Sequence, residues 1–239
     1  MSEPIRLSKR LIELTGCSRR EAELYIEGGW VSIDGEVVEE PQFKVSEQQA
    51  VVLLPGAEAK PLEPATLLLN QPADFKGDAD DLLALFQPQS RWAEDPSGVR
   101  ALRGHLLRLQ ASLPLQPHAE GMLVFSQDWR TLRKLTDDAY KLEQEYVVEV
   151  IGELPPSGLE TLKRGQTIKG ESLPGCKVSW QNETRLRFAL KNPSPGVIQR
   201  LCDSVGLRVV SIKRIRIGGV SMGKLPTGQW RYLGPQERF

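Results

Sequence analysis

A proline-rich stretch divides this sequence into two segments of very different length. Residues 55–64, PGAEAKPLEP, contain three prolines and one glycine and show no periodic spacing of apolar residues. Proline and glycine interrupt helices and strands, so this composition is typical of a linker. The sequence therefore predicts a domain over residues 1–54, a linker over 55–64 and a larger domain over 65–239. Each of the two domains needs a hydrophobic core of its own.

Composition excludes several classes of protein. The chain has 239 residues, with 31 Lys and Arg against 31 Asp and Glu, so its formal net charge is zero. No apolar run approaches the roughly 20 residues of a membrane-spanning helix. Three widely spaced cysteines and two histidines make a disulfide framework or a zinc site a poor interpretation. We therefore expect a cytoplasmic, monomeric protein that has no metal and does not bind membranes.

Positive charge is concentrated near the two ends of the sequence. Five of the six basic residues in 1–54 lie between Arg6 and Arg20, and residues 200–239 contain eight basic residues against two acidic ones. Local basic patches on a neutral protein favour contact with a polyanion. The alternative is that both patches are ordinary solvated surfaces.

The first fifty residues show a clear order of elements. Leucines at helical spacing in residues 7–14 predict an amphipathic helix, and the sequence SRRE at 18–21 predicts a capping box at the start of a second. Gly28-Gly29 would end this helix. Asp34-Gly35 lies between two β-branched stretches and predicts a hairpin with a two-residue turn.

Two arginines occupy an unfavourable place in the second helix. Arg19 and Arg20 lie in its first turn, where positive charge opposes the helix dipole by about 0.3–1 kcal/mol each. An external anion would explain them, because helix N-termini bind anions well. The alternative is that both are solvated and have no role.

This helix, SRRE, helix and hairpin pattern resembles the S4-type RNA-binding domain over about residues 5–50. The resemblance implies that the basic side chains of the two helices contact phosphates of structured RNA. Such contacts give affinity and salt dependence but little sequence choice. The residues concerned are Arg6, Lys9, Arg10, Arg19 and Arg20.

The larger segment mixes strand and helix patterns, which predicts an α+β domain with a mixed sheet. In the stretch RIRI at 214–217, arginines alternate with isoleucines, which places two guanidinium groups on one face of a strand. Asp128 is a candidate cap for one helix, and apolar spacing predicts another over 197–205. Strands are predicted at Thr66–Leu69, Gly121–Ser126, Glu145–Ile151 and Arg185–Leu190.

Four stretches of this segment resemble the bacterial rRNA pseudouridine synthases that carry an N-terminal S4-type domain. They are TLLLNQPAD (66–74), EGMLVFSQD (120–128), EQEYVVEV (143–150) and the tail RIRIGGVSMGKLPTGQWRYL (214–233). The resemblance implies a small α/β RNA-binding domain followed by a mixed, mainly antiparallel sheet flanked by helices. It also implies that the protein isomerises uridine to pseudouridine in structured RNA. The implied partners are ribosomal RNA or ribosomal particles, and no cofactor is needed.

The sequence departs from this family at the catalytic positions. Gln116 lies at the position of the family's catalytic aspartate, Gln144 at that of a lysine and Gln199 at that of an arginine. Tyr146 keeps the family residue that packs on the target base. An amide is neither basic nor appreciably nucleophilic, so Gln116 cannot replace the aspartate. We expect Gln116 and Gln199 to form a neutral amide pair where the family has an ion pair.

Three functional hypotheses follow. The first is an RNA-binding protein on a pseudouridine synthase scaffold whose catalysis is weak or lost. The second is an active synthase that uses a relocated carboxylate, for which Glu120 and Asp128 are the candidates. The third is a protein-interaction module that does not bind RNA. In the first two, we expect Arg200, Arg214 and Arg216 to contribute further RNA contacts.

Overall fold

The computed structural model describes residues 3–73, 75–168 and 170–239. It is a mixed α+β structure, as the sequence predicts. Its contacts form two compact units. Unit 1 comprises Met1–Pro64 together with Arg100–Arg108, and unit 2 comprises Ala65–Val99 together with Leu109–Phe239. No helix in the described part of the chain combines the length and apolar composition of a bilayer-spanning segment.

Unit 1 packs two short helices against two small antiparallel sheets. One sheet pairs β1 with β4, and the other has the order β3-β2-β5. The core between helices and strands is built from Leu7, Leu11, Ile26, Val31 and Val45. The elements are β1 (Ile5–Arg6), α1 (Leu7–Thr15), α2 (Arg19–Glu27), β2 (Val31–Ile33), β3 (Glu36–Val37), β4 (Lys44–Val45) and β5 (Val51–Leu53).

Local interactions explain where these elements begin and end. The Ser18 hydroxyl accepts a bond from the Glu21 amide (3.2 Å), while the Ser18 amide donates to the Glu21 carboxylate (2.8 Å). This is the predicted capping box, and it satisfies two amides at the start of α2. Asp34 and Gly35 both have positive φ, at 52° and 91°, as a tight hairpin turn requires.

A distant piece of chain completes unit 1. Arg100 donates a hydrogen bond to the Gly29 carbonyl (2.5 Å), and its guanidinium lies 5.2 Å from the centre of the Trp30 ring. The Arg103 amide donates to the Glu39 carboxylate (2.6 Å), and the Arg103 side chain forms an ion pair with Glu40. Residues 100–108, which include a 3₁₀ turn at Arg103–Leu106, therefore belong to this unit.

Unit 2 is organised around one large sheet with the strand order β12-β13-β9-β14-β8-β6-β16. Strand β15 pairs with β14, and β7 pairs with β8. The strands are β6 (Thr66–Gln71), β7 (Gln110–Ser112), β8 (Glu120–Ser126), β9 (Glu143–Ile151), β10 (Gly165–Ile168), β11 (Glu171–Pro174), β12 (Lys177–Trp180), β13 (Arg185–Lys191), β14 (Arg208–Ile217), β15 (Val220–Ser221) and β16 (Trp230–Tyr232). The helices are α3 (Ala79–Leu83), α4 (Trp129–Thr136), α5 (Gly158–Arg164) and α6 (Val197–Asp203).

The central pair β8 and β14 is parallel, whereas the other strand pairs of this sheet are antiparallel. Gly121 lies opposite Arg214 in this pair and has φ of 105°. A Cβ at Gly121 would lie 2.9 Å from the Arg214 nitrogen and closer still to its carbonyl oxygen. The two backbones can approach this closely only because residue 121 is a glycine.

Candidate active site

A cleft of about 550 Å³ opens in unit 2 beside the loop that joins β7 to β8. Residues that follow β6 form one wall, and the β7–β8 loop forms the other. The polar side chains around it are those of Gln71, Lys76, Asp78, Ser112, Gln116 and His118. Asp78 is the one carboxylate among the described residues that line the cleft.

Gln116, at the position where the sequence predicts a replaced catalytic aspartate, is buried in the cleft wall. Its Oε1 accepts a hydrogen bond from the Gly196 amide (2.8 Å), and its Nε2 donates to the Pro193 carbonyl (3.3 Å). Gly196 immediately precedes α6, so the amide of Gln116 ties the β7–β8 loop to the start of this helix. A carboxylate at the same point would accept the first bond but could not donate the second.

A buried polar cluster lies next to Gln116. The Tyr146 hydroxyl donates to Gln144 Oε1 (2.7 Å), and Arg214 Nη1 donates to the same oxygen (3.1 Å). Arg214 also donates to three backbone carbonyls, those of Leu113 (2.6 Å), Met122 (2.9 Å) and Pro114 (3.2 Å). The structure therefore brings Gln116, Gln144, Tyr146 and Arg214 together.

Burial shifts the pKa of two groups in this cluster. It raises the pKa of Tyr146, and the nearby Arg214 and Gln116 side chains oppose this shift only partly. Burial likewise lowers the pKa of Arg214, against the effect of Tyr146. Arg214 forms no salt bridge within the described residues. The cluster consists of a phenol, two amides and a guanidinium, and offers no carboxylate to attack a sugar or a base.

The predicted amide pair between Gln116 and Gln199 is wrong. Gln199 instead donates to Asp203 Oδ1 (2.9 Å), one turn further along α6. The neighbouring Arg200 forms an ion pair with Glu171 (2.8 Å) and donates to the Pro195 carbonyl (3.1 Å). The amide nitrogen of Gln199 is thus bonded within its own helix, and Gln199 does not line the cleft.

The predicted RNA contact at Arg214 is also wrong, because its side chain is fully buried and its hydrogen bonds are internal. Arg216 is half-buried and forms ion pairs with Glu143 (2.8 Å) and Glu145 (2.6 Å). Both acids lie on β9, the antiparallel neighbour of β14. Arg216 therefore stabilises the sheet, and its charge is already compensated.

The ion pair between Arg216 and Glu145 predicts that the folded protein loses stability in acid. The hydrogen bond from Arg216 outweighs the opposing effect of burial and, with Arg187, lowers the pKa of Glu145 to about 2. A carboxyl group whose pKa is lower in the folded state stabilises the fold above its unfolded pKa and loses this contribution as the pH falls. When the pH falls from about 5 to about 2, the free energy of unfolding of the Glu145→Gln variant should therefore decrease less than that of the parent. Chemical denaturation at each pH measures this, with the exposed Glu153→Gln as control; equal pH dependence in parent and E145Q would contradict it.

The two candidate relocated carboxylates have structural roles. Glu120 lies 3.6 Å from Lys213 on the adjacent strand. Asp128 caps α4 and accepts bonds from the amides of Arg130 (3.2 Å) and Thr131 (3.1 Å). Partial burial works to raise the pKa of Asp128, but the bonds from Thr131 and Arg130 outweigh it and lower the pKa overall. Neither residue lines the cleft.

The predicted RNA-contacting residues of unit 1 form a more coherent surface. Arg6, Lys9 and Arg19 line one concave surface of about 560 Å³. Arg19 forms an ion pair with Glu23 (3.0 Å), and Arg20 is exposed. Arg10 differs, because it is half-buried, lines another concavity and lies 3.7 Å from Glu13.

Within the described residues, no cluster of histidine, cysteine and acidic side chains could hold a metal ion.

Comparison with known proteins supports both parts of this description. The S4 domain family matches residues 5–51. An uncharacterised RNA pseudouridine synthase from Aquifex aeolicus is 28% identical over 98% of this chain and 94% of its own length. Over nearly its whole length, this chain is similar to proteins named RNA pseudouridine synthases. The dual-specificity RNA pseudouridine synthase RluF of Escherichia coli K12 is 26% identical over 98% of this chain and 77% of its own length.

The fold of this chain also has a solved counterpart. A crystal structure of a pseudouridylate synthase matches 96% of this chain and 96% of its own with a TM-score of 0.57. Its sequence identity of 18% establishes a shared fold. The predicted combination of an S4 domain with a pseudouridine-synthase-like α+β domain is confirmed.

Proposed function

We propose that this protein binds structured ribosomal RNA through its S4 domain and is a pseudouridine synthase relative that has lost most or all of that activity. One observation carries the proposal. Gln116, aligned with the family's aspartate, uses both ends of its amide to hold Gly196 and Pro193, and nothing in the cluster around it replaces the missing carboxylate.

Chemistry supports the loss of activity. In the family, the aspartate acts on the ribose or the base while the glycosidic bond breaks. The amide of Gln116 can neither attack carbon nor accept the proton near neutral pH. Among the other carboxylates considered, Glu120 is opposite Lys213 and Asp128 caps α4. Asp78, on the opposite wall of the cleft, accepts a bond from the Asp81 amide (3.0 Å) and is a further acid to test.

A pseudouridine map of total rRNA and tRNA, made with and without the gene, tests the catalytic part. We expect every modified site to persist in the deletion strain. The loss of one site, restored by the parent gene, would establish an active enzyme and overturn this part of the proposal. Complementation with Asp78→Asn, Glu120→Gln and Asp128→Asn would then identify the carboxylate in use.

RNA binding through unit 1 is tested by charge removal. Arg19→Ala/Arg20→Ala should weaken binding to an rRNA hairpin and reduce the slope of log K against log salt by about one to two, because each phosphate contact contributes about 0.9. The matched control is Lys163→Ala/Arg164→Ala, another adjacent basic pair on an exposed helix surface. Unchanged binding and slope in the first variant would overturn the assignment of phosphate contacts to Arg19 and Arg20.

A further inference from the structure

A second basic and aromatic surface lies on unit 2, apart from the cleft. It is formed by α4 and the 3₁₀ turn Ala139–Lys141 that follows it. We call it the α4 surface. Its members are Trp129, Arg130, Arg133, Lys134, Tyr140 and Lys141.

The aromatic side chains of the α4 surface do not contribute to the core. Trp129 is 62% exposed and Tyr140 is 57% exposed, the two highest values among the aromatic residues of the described chain. The buried contacts of α4 come from Leu135, which is 1% exposed. Large aromatic rings left in solvent lose the benefit of burial, and such rings are enriched at binding interfaces.

The cations of the α4 surface are available for a ligand. Arg130, Arg133 and Lys134 are exposed and form no salt bridge with the described residues, whereas Lys141 is paired with Asp138 (2.6 Å). The Arg130 guanidinium lies 5.6 Å from the centre of the Trp129 ring, and Lys141 Nζ lies 5.1 Å from that of Tyr140. A concavity of about 440 Å³ separates the helix from the turn. Each ring thus has a positive charge beside it.

We propose that the α4 surface binds an unpaired segment of RNA, with bases stacked on Trp129 and Tyr140 and phosphates bound by Arg130, Arg133 and Lys134. Stacking platforms beside a basic groove are the means by which proteins bind single strands with little sequence choice. An acidic peptide would use the cations but would gain little from the exposed rings. This inference rests on the proposed RNA-binding function and adds a single-stranded component to it.

Two probes separate this surface from the S4 domain. The first is a fluorescein-labelled oligouridylate of about twelve nucleotides, and the second is an rRNA hairpin without unpaired ends. With the full chain, Trp129→Ala should weaken oligouridylate binding about tenfold, since stacking on one aromatic side chain typically contributes a factor of this order. Trp129→Phe should restore most of it. The control is Trp180→Ala, which removes a partly exposed tryptophan from β12.

Charge removal tests the phosphate contacts. Arg130→Ala/Arg133→Ala/Lys134→Ala should reduce the salt slope for oligouridylate by about two, because each single-strand phosphate contact contributes about 0.7. The hairpin affinity of this variant should match that of the parent. Folding of each variant is checked by its thermal transition, which these exposed substitutions should leave unchanged.

The outcomes decide between the two sites. The inference is overturned if Trp129→Ala leaves oligouridylate binding unchanged. If, in addition, the triple variant of Arg130, Arg133 and Lys134 loses binding, the surface is a general polyanion site. An acidic peptide that displaces oligouridylate at equal concentration would overturn it as well. Hairpin binding without oligouridylate binding refutes the α4 surface alone. Oligouridylate binding without hairpin binding refutes the proposed function of the S4 domain and leaves the α4 surface standing.

Discussion

Replacing Arg214 with methionine is expected to lower the free energy of unfolding by about 2–4 kcal/mol. Methionine fills part of the space but donates no hydrogen bond. It would remove the donor from the carbonyls of Leu113, Pro114 and Met122, while the Gln144 amide oxygen would keep only its bond from Tyr146. Removing an unpaired buried charge offsets part of this cost, but three backbone carbonyls lose this donor and Gln144 loses one of its two bonds. Urea denaturation of parent and variant measures the difference.

Arg208→Met provides the matched control for this prediction. Arg208 begins the same strand and is exposed, so its replacement should change the free energy of unfolding by less than about 0.5 kcal/mol. Arg214→Lys should also destabilise, because an ammonium group lacks the planar fork with which the guanidinium donates to all four acceptors. Equal stability of R214M and R208M would show that the hydrogen bonds of Arg214 contribute nothing net.

Gly121→Ala is expected to destabilise unit 2 by about 3–5 kcal/mol. Two costs combine at this position. An L-residue must adopt φ of 105°, and its Cβ would meet the backbone of Arg214 on the parallel strand β14. Backbone atoms cannot rotate away as a side chain can, so the two strands must separate. The same denaturation measurement, with hydrogen exchange on β8 and β14, would locate the damage.

Gly228→Ala separates these two costs. Gly228 has φ of 76°, but a Cβ added there would meet no atom within 4 Å. Its replacement should therefore cost only the backbone strain, about 1 kcal/mol. If Gly121→Ala were no worse than Gly228→Ala, the close approach of β8 and β14 would have no energetic importance.

The elements of unit 1 could be predicted because their signals are local. The capping box at Ser18 and the turn at Asp34-Gly35 each depend on side chains within a few residues of one another. Such interactions form in the structure with the partners that the sequence indicates. The helix and strand patterns of unit 2 succeeded for the same reason, since apolar periodicity reports which side of an element faces the core.

The interior of the candidate site could not be predicted in this way. Alternation in RIRI places Arg214 and Arg216 on one face of a strand, but it cannot say that the first is fully buried and the second pairs with β9. The partners of Arg214 lie 70 to 101 residues away in the chain. Gln116 likewise bonds to backbone groups near α6, and backbone partners leave no signature in residue type. The signal that did identify this region was the set of amides at the family's charged positions.

The position of residues 100–108 has a consequence for synthesis on the ribosome. These nine residues belong to unit 1, yet they are translated after the first strand of unit 2. While only residues 1–64 have emerged, Arg100 cannot yet cover Trp30 and Gly29, and Arg103 cannot yet pair with Glu39 and Glu40. Unit 1 of this protein therefore completes its structure only after residues 100–108 have emerged. A fragment that stops at Pro64 would leave that surface exposed.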